Sequence, residues 1–328
     1  MPRDVPVVVC AADNRYAMPL TVLLRSLALN LRRYPRAIVW ILDGGVSRRN
    51  KKRLGASLPP GVLELRWIHP SHRPLRGVPI TGHISICTYY RLLIAELLPS
   101  DVDTVIYLDV DAVVLGDIGE LWDHNLGSLA IGAVPEAGLT VASPDGLTMY
   151  KELGLEPHMK MFNAGVLLCN LGLWRHMNTG MRAMTFVRQY AGRLHFWDQD
   201  VLNALFARSW SRLDTRWNYR VHERWEGDIG ALVRADRQAA IIHFNSAVKP
   251  WSYGVRHPAS SWYFALVDET SWKGWRPQKP RITLPVAMRN MSDKHWYGKW
   301  MRKLPLVGRL WVVLVEWRTR SARLRTEK

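Results

Sequence analysis

Acidic residues are in short supply in this chain: 28 Asp and Glu face 45 Lys and Arg in 328 residues, leaving a formal charge of +17. A surface of that sign is attracted to polyanions, among them nucleic acid, anionic lipid and phosphorylated sugars, without choosing among them. Cysteine is scarcer still. Cys10, Cys87 and Cys169 are an odd number with no CxxC pair, and Cys10 and Cys169 sit inside apolar runs. They read as buried small hydrophobes in a reducing compartment, not as a disulfide framework. No segment reaches the roughly 20 apolar residues needed to cross a bilayer. The early run VPVVVCAA is preceded by Asp4 and followed by polar ADNRY with no clear small-residue cleavage site, so it reads as a first strand and not as a signal segment. There is no internal repeat. What the chain does have is 48% hydrophobic content, enough for one large α/β domain with an appendage or for two ordinary domains.

Short β-branched runs recur at 5–11, 37–43, 62–68, 104–110, 129–134, 164–170 and 239–244. They are continuously apolar, as expected of strands covered on both faces. Between them, Leu20, Leu23, Leu24, Leu27 and Leu31 repeat at helical spacing behind Pro19, and TYYRLLIAELL (88–98) predicts a second helix closed by Pro99. DQDVLNALF (198–206) predicts a third, with the acidic first turn that a helix dipole favours. Alternating strands and helices indicate an α/β fold with a mainly parallel, Rossmann-like central sheet flanked by helices.

The stretch VIYLDVDAVVL (105–115) sets Asp109 and Asp111 one residue apart at the end of a core-like run. In an extended chain, side chains at i and i+2 point to the same side, and such a pair repels itself unless a cation intervenes. Mg²⁺ or Mn²⁺ suits carboxylate oxygens and leaves positions open for phosphate. Two turn aspartates at a strand end have the same spelling. AADNRYA (11–17) follows the first strand, where a ligand crevice is expected; Asp13 and Asn14 can meet a base or ribose, or shape the loop, and Tyr16 offers a stacking face. HFNSAVKPW (243–251) offers the His243 imidazole to a metal, or to an ordinary hydrogen bond, and the Lys249 ammonium to a diphosphate, or to solvent. Asn163 in FNAGVLLCN (162–170) suits either a turn or a sugar hydroxyl.

In this order, AADNRYA, HISICTYYRL (83–92), YLDVDAVV (107–114), FNAGVLLCNLGLW (162–174), DQDVLNALF and HFNSAVKPW resemble the retaining glycosyltransferases of family 8. That family includes bacterial lipopolysaccharide galactosyl- and glucosyltransferases and glycogenin. The resemblance implies a GT-A fold that moves a hexose, galactose or glucose, from a UDP-sugar to a saccharide acceptor with help from Mn²⁺ or Mg²⁺. Asp109, Asp111 and His243 would hold the metal, with Val110 between the two acids. Ala11, Asp13, Tyr16 and Ile84 would line the uridine site, and Lys249 would meet the diphosphate. Arg91, Asn163, Asp198 and Gln199 would surround the donor sugar, with Gln199 and Asp198 as the catalytic candidates. His83 and Glu136 would contact the acceptor. Two departures stand out: Ser246 replaces the glycine of the family pattern H-x-x-G-x-x-K-P-W, implying a modified phosphate site, and Arg15 stands where bacterial relatives often have asparagine.

Composition shifts after about residue 255, so residues 1–255 are expected to form the catalytic domain, 256–293 an extension and 294–328 a basic tail. That tail has ten Lys or Arg against two Glu, a net +8, interleaved with Trp296, Tyr297, Trp300, Trp311 and Trp317. Cations alternating with interfacial aromatics suit an anionic membrane surface, and the tail is expected to be helical and amphipathic; a basic helix docked on the domain, or a disordered tail, is the other reading. The protein is therefore expected to be cytoplasmic and peripheral on the inner face of the cell membrane, with a lipid-linked or cell-envelope glycan as acceptor. No recognised nucleic-acid module accompanies the charge, which argues against that partner. A nucleotidyltransferase also uses paired carboxylates, but AADNRYAMPL lacks its glycine-rich loop. The other alternative is a membrane-associated sugar-binding protein with a vestigial site.

Overall fold

The apolar runs become strands whose successive side chains enter two different cores. The computed structural model describes residues 4–78, 85–234, 238–254 and 256–278. Its central sheet has seven strands in the order β3-β2-β1-β4-β7-β6-β8. These are β1 (Val7–Ala12), β2 (Ala37–Asp43), β3 (Leu63–Ile68), β4 (Thr104–Leu108), β6 (Ile131–Thr140), β7 (Lys160–Asn170) and β8 (Ser211–Arg212). β5 (Ala112–Val114), β10 (Ile241–His243) and β9 (Tyr219–Arg220) form a second sheet in the order β5-β10-β9. In the central sheet β7 runs antiparallel to both β4 and β6, and the other pairings are parallel. The fold is thus the mainly parallel α/β sheet flanked by helices that the sequence predicts.

On β1, Val8 and Cys10 face one core while Val9 and Ala11 face the other; Ile106 and Leu108 are divided in the same way from Val105 and Tyr107 on β4. That is why these strands do not alternate with polar residues. Each such Val, Ile or Leu contributes roughly 1.5–3 kcal/mol by leaving water. All three cysteines are free and buried. Burial pushes the Cys87 thiol up to about 11, which keeps it protonated.

Helix Ala17–Asn30 follows β1 as expected. The helix foreseen over 88–98 is broken instead: Cys87–Tyr90 and Ile94–Leu97 flank a 3₁₀ turn at Arg91–Leu93. Helix Trp197–Phe206 carries Asp198 and Asp200 in its first turn. Beyond the change of composition near 255, Tyr263, Val267 and Trp272 pack into the larger core, and the compact unit runs through Pro277. The expected acceptor and nucleoside contacts His83 and Ile84, and the whole basic tail, lie outside the described residues.

Candidate active site

The carboxyl ends of β1 and β4, the start of β7 and the end of β10 converge on a cleft of about 410 Å³. Strand β4 ends at Leu108, and the chain turns through Val110 and Asp111 before β5. The two acids therefore meet because of this turn, and not through the pleat of an extended strand. The Asp109 N–H donates to the Gly165 carbonyl at 2.8 Å and the Phe244 N–H to that of Asp111 at 2.9 Å, tying the turn to both sheets.

His243 ends β10, and its Nε2 lies 3.2 Å from Asp111 Oδ1 and 3.8 Å from Asp109 Oδ2. Ligand atoms of these three residues all fall within 4.8 Å of one another, and among the described residues they are the cluster able to hold a metal ion. Two hard carboxylate oxygens and one imidazole suit Mn²⁺ or Mg²⁺, so the donor set fits the ion the family resemblance implies. Gly165 makes room for the imidazole: a methyl group there would collide with the His243 ring.

Fixed cations hold the acids. The Arg91 guanidinium, only 6% exposed, donates to Asp109 Oδ1 at 2.6 Å and pairs with Asp198 Oδ2 at 2.6 Å. It also donates to the Ala164 carbonyl at 2.6 Å and lies over the Tyr107 ring. Burial alone would lower the Arg91 pKa, but Asp109 and Asp198 reverse the effect and raise it. The Lys249 ammonium donates to Asp111 Oδ2 at 2.5 Å and to the Phe244 carbonyl at 2.7 Å. Against the burial that would raise it, Lys249 and His243 hold the Asp111 carboxyl well below the ordinary range. Burial pushes Asp198 up to about 7, with Arg91 opposing and Asp109 adding to the rise. Arg91 and Lys249 thus serve three acidic side chains between them, Asp109, Asp111 and Asp198.

Ala11, Asp13, Tyr16, Arg91, Val110, Asn163, Asp198, Gln199, Glu136 and Lys249 line the same cleft as the acidic pair and His243. Asp13 also shapes its loop, since its Oδ1 accepts from the backbone N–H groups of Arg15 at 2.8 Å and Tyr16 at 3.2 Å. Asn14 serves the loop instead of the cleft: its Oδ1 accepts from Ser47 N–H and Asn50 Nδ2, both at 2.9 Å. Ser246 is also outside the lining, with its hydroxyl turned back to the Val248 carbonyl at 2.7 Å. Gln199 Oε1 accepts from the Ala164 N–H at 3.0 Å. Glu136 pairs with Arg220 and accepts from Asn163 Nδ2 at 2.9 Å.

Sequence reasoning missed the residues that hold this lining in place. Asn203 clamps the Phe162 backbone, accepting from its N–H at 2.8 Å and donating to its carbonyl at 2.9 Å. Asp200 accepts from the His195 and Phe196 N–H groups at 2.6 and 3.0 Å. Both lie in DQDVLNALF, one helical turn or less from Gln199, which was the available signal. Trp197, at φ 45°, occupies the left-handed region at the cleft wall, where strain often accompanies function. Asn218 gave no sequence signal at all.

Comparison with known proteins identifies the class of protein to which this fold and site belong. Residues 7–254 match the model of Glycosyl transferase family 8, about three quarters of the chain, and the chain belongs to that family. It is 28% identical over 275 residues to General stress protein A of Bacillus subtilis, covering 81% of this chain and 94% of that one. It is 26% identical over 236 residues to the lipopolysaccharide 1,3-galactosyltransferase of Salmonella typhimurium, covering 68% and 67% of the two chains. Among solved structures, that of the galactosyltransferase LgtC with donor and acceptor sugar analogues superposes with a TM-score of 0.68 at 28% identity, covering 84% of this chain and 98% of that one.

Proposed function

We propose that this glycosyltransferase moves galactose or glucose from a UDP-sugar to a saccharide acceptor, with retention at the anomeric carbon. The convergence of Asp109, Asp111 and His243 beside Lys249, in the cleft that Ala11, Asp13 and Tyr16 also line, carries the reading. Asp109, Asp111 and His243 would hold Mn²⁺ or Mg²⁺, which when bound supplies positive charge to the departing diphosphate. Lys249 adds a fixed ammonium, and Tyr16 gives the nucleoside an aromatic wall. Asn163, Gln199 and the Arg91–Asp198 pair present donors and acceptors to the hexose. Glu136 stands on the acceptor side.

Two observations favour front-face attack over double displacement. Asp198 is paired with Arg91 at 2.6 Å, and Gln199 Oε1 accepts from the Ala164 N–H at 3.0 Å; both contacts draw electron density from these oxygens and weaken them as nucleophiles. Gln199 then acts as an electrostatic stabiliser of the cationic sugar carbon, and the leaving phosphate oxygen takes the acceptor proton. The acceptor is read as a lipid-linked or cell-envelope glycan, supported by the lipopolysaccharide relative. The +8 charge of residues 294–328 supports docking on an anionic inner membrane face. Incubation with a panel of UDP-sugars and Mn²⁺ tests the central reading: UDP release from a UDP-hexose is expected, and failure with every UDP-hexose would contradict it.

A further inference from the structure

Behind the metal-binding triad runs a buried line of amides whose orientation the backbone dictates. The Gly165 backbone N–H, which can only donate, points at Asn163 Oδ1 at 2.9 Å and so identifies that atom as the oxygen. The Asn163 nitrogen then faces Glu136 Oε2, a carboxylate acceptor, at 2.9 Å. Asn218 meets the same Asn163 oxygen at 2.8 Å and must present its NH₂ there. Its own oxygen is left facing His243 Nδ1 at 2.9 Å. An amide oxygen only accepts, so Nδ1 must carry a proton. Nε2 is then the ring nitrogen turned toward Asp109 and Asp111, where a cation would sit. Asn163, Asn218 and His243 are 5%, 2% and 3% exposed, so solvent does not substitute for any of these partners.

We propose that Asn218 is a positioning residue for metal binding: it fixes the His243 ring in the Nδ1–H form, with Nε2 presented to the acidic pair. The inference rests on the metal reading given under Proposed function. The same hydrogen bond also restrains rotation of the ring, which fills the space that Gly165 leaves beside β7. Ligating imidazoles are commonly held in this way through their other nitrogen, and removing such a partner weakens metal binding by about ten- to a hundredfold.

The test is Mn²⁺ titration of the nucleotide-free protein followed by the free-ion EPR signal, on wild type, Asn218→Ala and Asn218→Asp. Both variants lose the donor to Asn163, and only Asp keeps an acceptor for Nδ1–H, together with a new negative charge, so the ¹⁵N spectra and not the affinity alone report the bond to the imidazole. Asn218→Ala is expected to bind Mn²⁺ about ten- to a hundredfold more weakly, and Asn218→Asp to recover most of that loss. The Ala variant should need correspondingly more Mn²⁺ for half-maximal transfer, with kcat restored at saturating ion. In ¹⁵N spectra of the metal-free protein, His243 Nδ1 should carry hydrogen in wild type. Wild-type affinity in Asn218→Ala, an Asp variant no better than Ala, or an unprotonated Nδ1 in wild type would each overturn the proposal. Absence of Mn²⁺ binding by wild type would instead overturn the metal reading, and this inference with it.

Discussion

Gly165→Ala tests how closely the imidazole is fitted to β7. A methyl group built on Gly165 stands 2.6 Å from Nδ1 and 2.9 Å from Nε2 of His243, where ordinary contacts of a Cβ lie at 3.4–4 Å. Gly165 does not have a positive φ, so alanine is compatible with the backbone and the whole effect is steric. The ring has little room to retreat. His243 is paired to Ala112 of β5 and Arg220 of β9, and its Nδ1 is tied to Asn218. Relief therefore needs a shift of roughly 1 Å in the imidazole or in β7, and a misplacement of that size near the chemistry costs about a hundredfold in rate. That is about 2.7 kcal/mol of transition-state stabilisation. Overpacking should cost a further 1–3 kcal/mol, roughly, in folding stability. Steady-state transfer at varied Mn²⁺ measures the first effect and urea denaturation the second. A Gly165→Ala protein with wild-type kcat/KM and wild-type Mn²⁺ dependence would refute the reasoning.

Three further outcomes are expected. Asn203→Ala leaves the buried Phe162 N–H and carbonyl without partners; at about 1–3 kcal/mol for each orphaned group, urea denaturation should show a loss of roughly 2–6 kcal/mol, and a loss under 1 would contradict the clamp. Lys249→Met strips Asp111 of its ammonium, so breaking this largely buried pair should cost about 3 kcal/mol of stability and weaken UDP binding; unchanged UDP affinity by calorimetry would count against a diphosphate role. Burial pushes the Asp200 carboxyl from 3.8 up to about 6, so its contribution to stability is complete below pH 3.8 and lost as pH rises through 6, the reverse of Asp111, whose contribution is lost as pH falls below 3.8. Asp200→Asn keeps an acceptor for the His195 and Phe196 N–H groups, so it should stabilise the protein at pH 8 by up to about 3 kcal/mol and leave it near wild type at pH 4; parallel Tm–pH curves would exclude that role.

The strands were legible because burial on both faces leaves an unmistakable mark: Val8 to Ala11, Val105 to Leu108 and Val166 to Cys169 are apolar at every position, since each neighbour enters a different core. Antiparallel insertion of β7 between β4 and β6 leaves no such mark, because direction is set by the path of the chain and not by the local pattern. The acidic pair and His243 could be linked from ordered motifs. Their convergence depends on the turn at Val110–Asp111, which an i, i+2 argument does not contain. Asn14 and Ser246 illustrate the other limit. Both carry polar groups within matching segments, yet both spend those groups on local backbone or loop partners, Asn14 on Ser47 and Asn50 and Ser246 on Val248. Asn218 was invisible for the opposite reason: one asparagine in RWNYR becomes meaningful only when β7 and β10 bring Asn163 and His243 to either side of it.

The central claim is that Asp109, Asp111 and His243 jointly hold the ion that grips the diphosphate. Calorimetric titration of UDP into wild type and Asp111→Ala, each with and without Mn²⁺, tests it most directly. Wild type is expected to bind UDP at least about tenfold more tightly with Mn²⁺, a coupling of about 1.4 kcal/mol or more, and Asp111→Ala to show no such gain. UDP affinity that is independent of Mn²⁺ in wild type, or an equal gain in Asp111→Ala, would contradict the account.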